Sequence, residues 1–262
     1  MERQDITKAK RIVVKVGTSV LASKGFALDK AWMQGFARQI GALLKQGREV
    51  VIVSSGAIAA GMHLLGMKKR PGDLPGKQAC AAVGQGNLIN TYEDMFRKAG
   101  FHVGQILLTW EGLKDRRMYL NAKNTIDTLL SKSVVPIINE NDTVAVDEIK
   151  FGDNDTLSAL VSELVDAELL VMLTDVDGFC VGDKKQRVDK ITEICSDIED
   201  AAGGTEKEYS LGGMKTKLKA CRIAMSSGIH CVIANGRTKD IMTKIVKGEN
   251  VGTLFVSKKS KT

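Results

Sequence analysis

Six short β-branched runs, separated by segments with helical apolar spacing, constrain this chain more than any other feature. They are Arg11 to Val16, Glu49 to Val53, Val103 to Leu108, Val134 to Ile138, Leu169 to Leu173 and Ile229 to Ala234. Strands that alternate with helices predict a mainly parallel sheet covered by helices on both faces. The helical spacing is clearest after Asp153, an N-cap candidate, where Leu157, Leu160, Val161 and Leu164 keep to one face. Met118, Ile126, Leu129 and Leu130 predict a second core-facing stripe, and Leu218, Cys221 and Met225 a third. Thr143 to Gly152 reads as a hairpin and the polar stretch from Gly178 to Tyr209 as a mobile surface excursion.

With 262 residues, 44% of them hydrophobic, the chain has enough apolar material for one sizeable core, and no repeat or linker marks a boundary. The net charge of +7 raises nucleic acid as a partner, but Lys8, Lys10, Arg11, Lys258, Lys259 and Lys261 place some of the excess at the ends. Aromatic residues are only 5%, which disfavours base stacking, so no nucleic acid partner is expected. Cysteines at 80, 180, 195, 221 and 231 form no Cys-x-x-Cys pair and predict neither a disulfide framework nor a zinc site. The three histidines are scattered, and no metal-ligating set is predicted. The opening segment is charged and no apolar run nears the roughly 18 residues of a membrane span. A cytoplasmic protein without a membrane partner is expected.

Ligands of open α/β sheets gather where strands end and helices begin. Four turns stand at such places. Lys15-Val16-Gly17-Thr18-Ser19 offers backbone amides and a charge; Ser54-Ser55-Gly56-Ala57 opens a helix whose free amides attract anions; Asn139-Glu140-Asn141-Asp142 brings carboxylates; and Gly212-Gly213-Met214-Lys215-Thr216-Lys217 starts a helix bearing a lysine. Asp142 is suited to pair the ammonium of a free amino acid. Asp155, beside Asp153 and Asn154, is suited to hold Lys15 and Lys217 near each other. Taken singly, each turn reads equally well as a cap, a turn or a solvated lysine. The set as a whole favours an anionic ligand. Gly72 to Gln78 is one residue short of a phosphate-binding Walker loop, and Gly84-Gln85-Gly86 lacks the third glycine and preceding strand of a dinucleotide fingerprint.

Across almost its whole length the chain resembles the glutamate 5-kinases of the amino acid kinase family. The resemblance is carried by the first and fourth turns, by Ser54 to Gly61, by Ile138 to Asp142, by Gly152-Asp153-Asn154-Asp155 and by Thr174-Asp175-Val176-Asp177-Gly178. It implies a three-layer αβα sandwich with a mainly parallel central sheet, a single domain over residues 1–262 in which residues 1–165 bind the acceptor and residues 166–262 the nucleotide. It also implies ATP-dependent phosphorylation of the glutamate side-chain carboxylate, with Mg2+, as the first step of proline biosynthesis. By motif position Lys15, Asp155 and Lys217 are the expected catalytic set, and Ser55, Gly56, Asp142 and Asn154 the glutamate site. Lys15, Gly17, Thr174, Asp175 and Gly212 to Lys217 (Gly212, Gly213, Met214, Lys215, Thr216 and Lys217) are expected at the nucleotide. Proline as feedback inhibitor and a homo-oligomer are further expectations. The chain departs from the family pattern at Ser210-Leu211 and Phe179-Cys180, and it stops at Thr262 without the C-terminal PUA domain that many such enzymes append, so no role tied to that domain is expected. The competing reading is a basic nucleic-acid-binding or regulatory protein on an inactive scaffold of this kind.

Overall fold

The computed structural model describes residues 3–23, 25–144, 154–181, 186–202 and 213–258. Each of the six apolar runs forms a strand: β1 Arg11–Val16, β2 Glu49–Ser54, β3 His102–Leu108, β4 Val134–Glu140, β5 Leu169–Thr174 and β9 His230–Asn235. They join an eight-stranded sheet in the order β3-β4-β2-β1-β5-β9-β10-β8, in which β8 is Lys190–Ile191 and β10 is Thr253–Phe255. Every pairing is parallel except that of β9 with β10. A two-stranded ribbon of β6 (Cys180–Val181) and β7 (Gln186–Arg187) stands apart from it.

Helices cover both faces, and the period of two along each strand decides which residues meet them. Ile12, Val14, Val50, Ile52, Val171 and Val232 point to one face, where α3 (Lys30–Lys45) supplies Phe36 and Ile40 and α5 (Leu74–Lys98) supplies Leu88, Tyr92 and Phe96. Val13, Val51, Val53, Leu170, Met172 and Ile233 point to the other, against Ile126 and Leu130 of α7 (Arg116–Ser131), Val161 and Leu164 of α8 (Asn154–Leu164), and Leu218 and Ala224 of α10 (Met214–Ser226). Short helices α1 (Arg3–Ile6), α2 (Thr18–Leu21), α4 (Ala57–Leu64), α6 (Trp110–Lys114), α9 (Ser196–Ala202) and α11 (Ile241–Val246) complete the described elements. The expected αβα sandwich is borne out.

Met118 is 58% exposed, because it sits in the first turn of α7, short of the sheet, while Ile126 and Leu130 further along are buried. The excursion from Gly178 is, where described, tied into the fold: β8 pairs with β10, and Phe179 and Ile191 are buried. The hairpin expected within Thr143 to Gly152 and the Asp153 cap fall mostly or wholly outside the described residues.

One helix contact positions the site. A side chain on Gly84 of α5 would place Cβ 1.9 Å from the Ala57 carbonyl oxygen, and one on Gly61 of α4 would place it 1.8 Å from that of Cys80. The two helices therefore cross backbone to backbone, which only glycine permits, and α5 lies flush against the helix that begins at the second turn.

Candidate active site

Register brings the turns to one level. Val16 at the end of β1 pairs with Ser54 on one side and Leu173 on the other, so Gly17, Ser55 and Thr174 follow at the same edge of the sheet. The Gly17 amide donates to the Leu173 carbonyl and the Ser55 amide to the Val16 carbonyl, both at 3.1 Å, which ties the two turns to the central strands. Gly56 has φ of 107°, a left-handed conformation that suits glycine, and this bend starts α4 with its first amides open to the site.

The turns wall a cavity of about 350 Å3, lined by Lys15, Gly17, Ser55, Gly56, Asp142, Asn154, Thr174, Asp175 and Lys217 among others. Thus nine of the residues expected at a substrate site meet in one place. Asp155 lies immediately behind, 1% exposed. Its Oδ1 is 2.6 Å from Lys15 Nζ and its Oδ2 is 3.2 Å from Lys217 Nζ, so one carboxylate spans both ammonium groups. Thr216 donates a third contact to Oδ2 at 2.7 Å. Burial alone would raise the Asp155 pKa, but the Lys15 and Lys217 charges overcome it and hold the group far below the usual carboxylate range. The cluster keeps a net charge of about +1, facing the cavity.

Met214, Lys215 and Thr216, also expected at the nucleotide, are not part of this cavity's wall. Met214 packs on the apolar core, Lys215 is exposed, and the Thr216 hydroxyl is turned to Asp155. Gly213 caps α10 in an extended conformation, and Gly212 lies outside the described residues.

At the other end of the cavity Asp142 is half-buried. Its pKa is pushed up to about 6 by burial, against the opposing charge of Arg70. Arg70 lines the same cavity. In sequence it stands in Lys68-Lys69-Arg70 before Pro71, with no strand end beside it to mark it as a site residue. Between the two ends lies an amide network. Asn154 Nδ2 donates to Ser55 Oγ at 3.0 Å and to Asn139 Oδ1 at 3.1 Å, and Asn139 Nδ2 donates to Gln85 Oε1 at 2.8 Å. Behind Ser55, Ser54 Oγ donates to the Ser55 carbonyl and meets the Tyr92 hydroxyl at 3.0 Å. Tyr92 is fully buried, and that burial raises its pKa.

The profile of the amino acid kinase family matches residues 10–235. The chain belongs to that family. Among similar proteins, the glutamate 5-kinase of Nitrosomonas eutropha is 50% identical over 262 residues, covering 98% of this chain and 70% of its own length. The glutamate 5-kinase of Nitrosospira multiformis is 50% identical over 257 residues, 96% of this chain and 69% of the relative. That of Geobacter sp. strain M21 is 45% identical over 261 residues. These relatives bear out the resemblance that the six motifs carry. A solved structure of carbamate kinase from Giardia lamblia bound to AMP-PNP shares the fold of this amino acid kinase, with a TM-score of 0.67 over 96% of this chain and 18% identity.

Proposed function

We propose that this amino acid kinase transfers the γ-phosphoryl of ATP to the side-chain carboxylate of L-glutamate, yielding glutamyl 5-phosphate, the entry to proline synthesis. The observation that carries the reading is the single buried carboxylate of Asp155 spanning Lys15 and Lys217 beside a cavity whose far end holds Asp142 and Arg70. The names of its relatives supply the choice of glutamate.

The acceptor carboxylate is already ionised at neutral pH, so no general base is needed and direct in-line attack suffices. An ammonium has three donors, which lets each lysine hold Asp155 while stabilising charge on the phosphoryl oxygens. Asp155 keeps the two cations close without itself touching the substrate. Asp142 pairs the α-ammonium, Arg70 faces the α-carboxylate, and Ser55 with the amides of Gly56 and Ala57 receives an anionic oxygen. Gly17, Thr174 and Asp175 form the wall toward the nucleotide. Broadly, residues from 166 onward serve ATP and those before them the acceptor, with Lys15 and Gly17 of the first turn reaching the nucleotide side, on one continuous sheet.

Magnesium travels with ATP phosphates and keeps most of its waters, so it fits a wall with few carboxylates. Among the described residues no cluster of three or more His, Cys, Asp or Glu could hold a metal. Asp155 is engaged by cations, and Asp175 is the carboxylate of this wall able to meet a hydrated ion. Bound there, magnesium would neutralise charge on the transferring group. Proline, with the same α-carboxylate and amine as glutamate, would compete at the Asp142 and Asn154 end. A cytoplasmic homo-oligomer completes the proposal; among the described residues no helix is long and apolar enough to cross a membrane.

ATP consumption compared across glutamate, acetylglutamate, aspartate and carbamate tests the acceptor. Glutamate should be preferred by at least about tenfold over acetylglutamate, whose acylated nitrogen cannot pair with Asp142. Equal use of the two would remove the reason for assigning Asp142.

A further inference from the structure

We propose that Gln85 is a positioning residue for the acceptor: through Asn139 it fixes the side-chain amide of Asn154 so that the Asn154 oxygen meets the ammonium of the substrate. The inference rests on the amino-acid reading of the cavity and adds to it a residue whose motif, Gly84-Gln85-Gly86, has no place in nucleotide binding.

Two groups of unambiguous polarity set the whole chain of amides. The backbone N–H of Glu140 can only donate, and it lies 2.9 Å from Asn139, so the Asn139 atom facing it is Oδ1. Asn139 Nδ2 is then turned to Gln85 Oε1, at 2.8 Å. The Ser54 carbonyl can only accept, and it lies 3.3 Å from Asn154, as Asn139 Oδ1 does at 3.1 Å. The Asn154 atom between them is therefore Nδ2. Asn154 Oδ1 is left on the opposite side, buried and without a hydrogen-bond partner among the described residues, in a side chain that lines the cavity. A buried acceptor without a donor is costly, and an arriving ammonium satisfies it.

Gln85 Oε1 is the acceptor at the outer end of this chain and adds to the hold that the Glu140 amide has on Asn139. Without an acceptor there, Asn139 Nδ2 loses its partner and the Asn139 amide is held from one side only. A reversed Asn154 would present NH2 to an ammonium, donor against donor. The Gly84 contact with α4 explains how α5 comes near enough for Gln85 to act.

The test is steady-state kinetics on the full chain with Gln85→Met, which keeps length but removes the acceptor, and Gln85→Glu, which keeps an acceptor. Glutamate and glutarate, which lacks the ammonium, serve as acceptors. Q85M should raise the KM for glutamate about tenfold, with kcat and the KM for ATP within about threefold of wild type. Q85E should stay within about threefold of wild type, and glutarate use should be changed less than glutamate use by Q85M. An unchanged glutamate KM in Q85M overturns the proposal. So does a folded Q85E impaired as much as Q85M, or an equal loss with glutarate. Should Q85M fail to fold, Q85E decides: a wild-type KM supports the acceptor role and a KM raised about tenfold overturns it. A wild-type enzyme that phosphorylates glutarate but not glutamate would overturn the amino-acid reading itself and this proposal with it.

Discussion

Two buried ammonium groups can share one corner of a protein only if a carboxylate lies between them, and Asp155 does so from the first turn of α8. Asp155→Ala would remove the carboxylate that the two buried lysines share, so the expected cost is about 3–5 kcal/mol of stability, read as a lower urea midpoint. Lys217→Ala should fold, because it leaves the Lys15 pair in place, yet lose about a hundredfold or more in kcat. At the other end, Asp142 must be ionised to pair an ammonium, and its pKa of about 6 is raised by burial. The protonated form therefore grows as pH falls through 6, and kcat/KM for glutamate should fall with it while kcat changes less. Asp142→Asn should have a high KM at every pH and lose that limb of the profile. The charged residues were legible in sequence because several turns at strand ends and helix starts carry them together, although each turn alone reads as well as a cap or a solvated lysine. Arg70 and Gln85 were not. Each reaches the site through a tertiary contact, and nothing in its own neighbourhood marks it.

At the scale of elements, five of the six strands read from sequence were legible because both their faces are buried, which leaves runs of Val, Ile and Leu, while β3 at the sheet edge shows instead through the alternation of its less buried residues. The side of the sheet beyond β9 was not: β8 and β10 have two and three residues, too short for a period to show. Met118 misled for the same kind of reason, since helical spacing gives a face but not where along the helix the neighbouring sheet begins. The crossing of α4 and α5 was hidden too, because Gly61 and Gly84 look like ordinary helix interruptions until the partner backbone is seen. Gly84→Val should force the helices apart, costing about 1–3 kcal/mol by overpacking. Because Gln85 would move with α5, the same variant should raise the KM for glutamate more than that for ATP, in contrast to a substitution on the exposed face of α5.

At the scale of the molecule, a parallel sheet gathers its strand ends on one edge, and this chain places every reacting group there. Asp155 and the lysines occupy the middle strands' end, and Asp142 with Arg70 lies to one side, as a dicarboxylic amino acid with one end to phosphorylate and one to hold would require. The fold class and most of the site could be read from the chain because both follow from strand ends and their turns. The amide network could not, since it joins positions 54, 85, 139 and 154 through space. Transfer to a carboxylate is tested most simply by trapping with hydroxylamine during turnover of ATP and glutamate. γ-Glutamyl hydroxamate and ADP should form in equal amounts. ADP formed with no hydroxamate, under conditions where glutamate accelerates ATP use, would contradict transfer to a carboxylate.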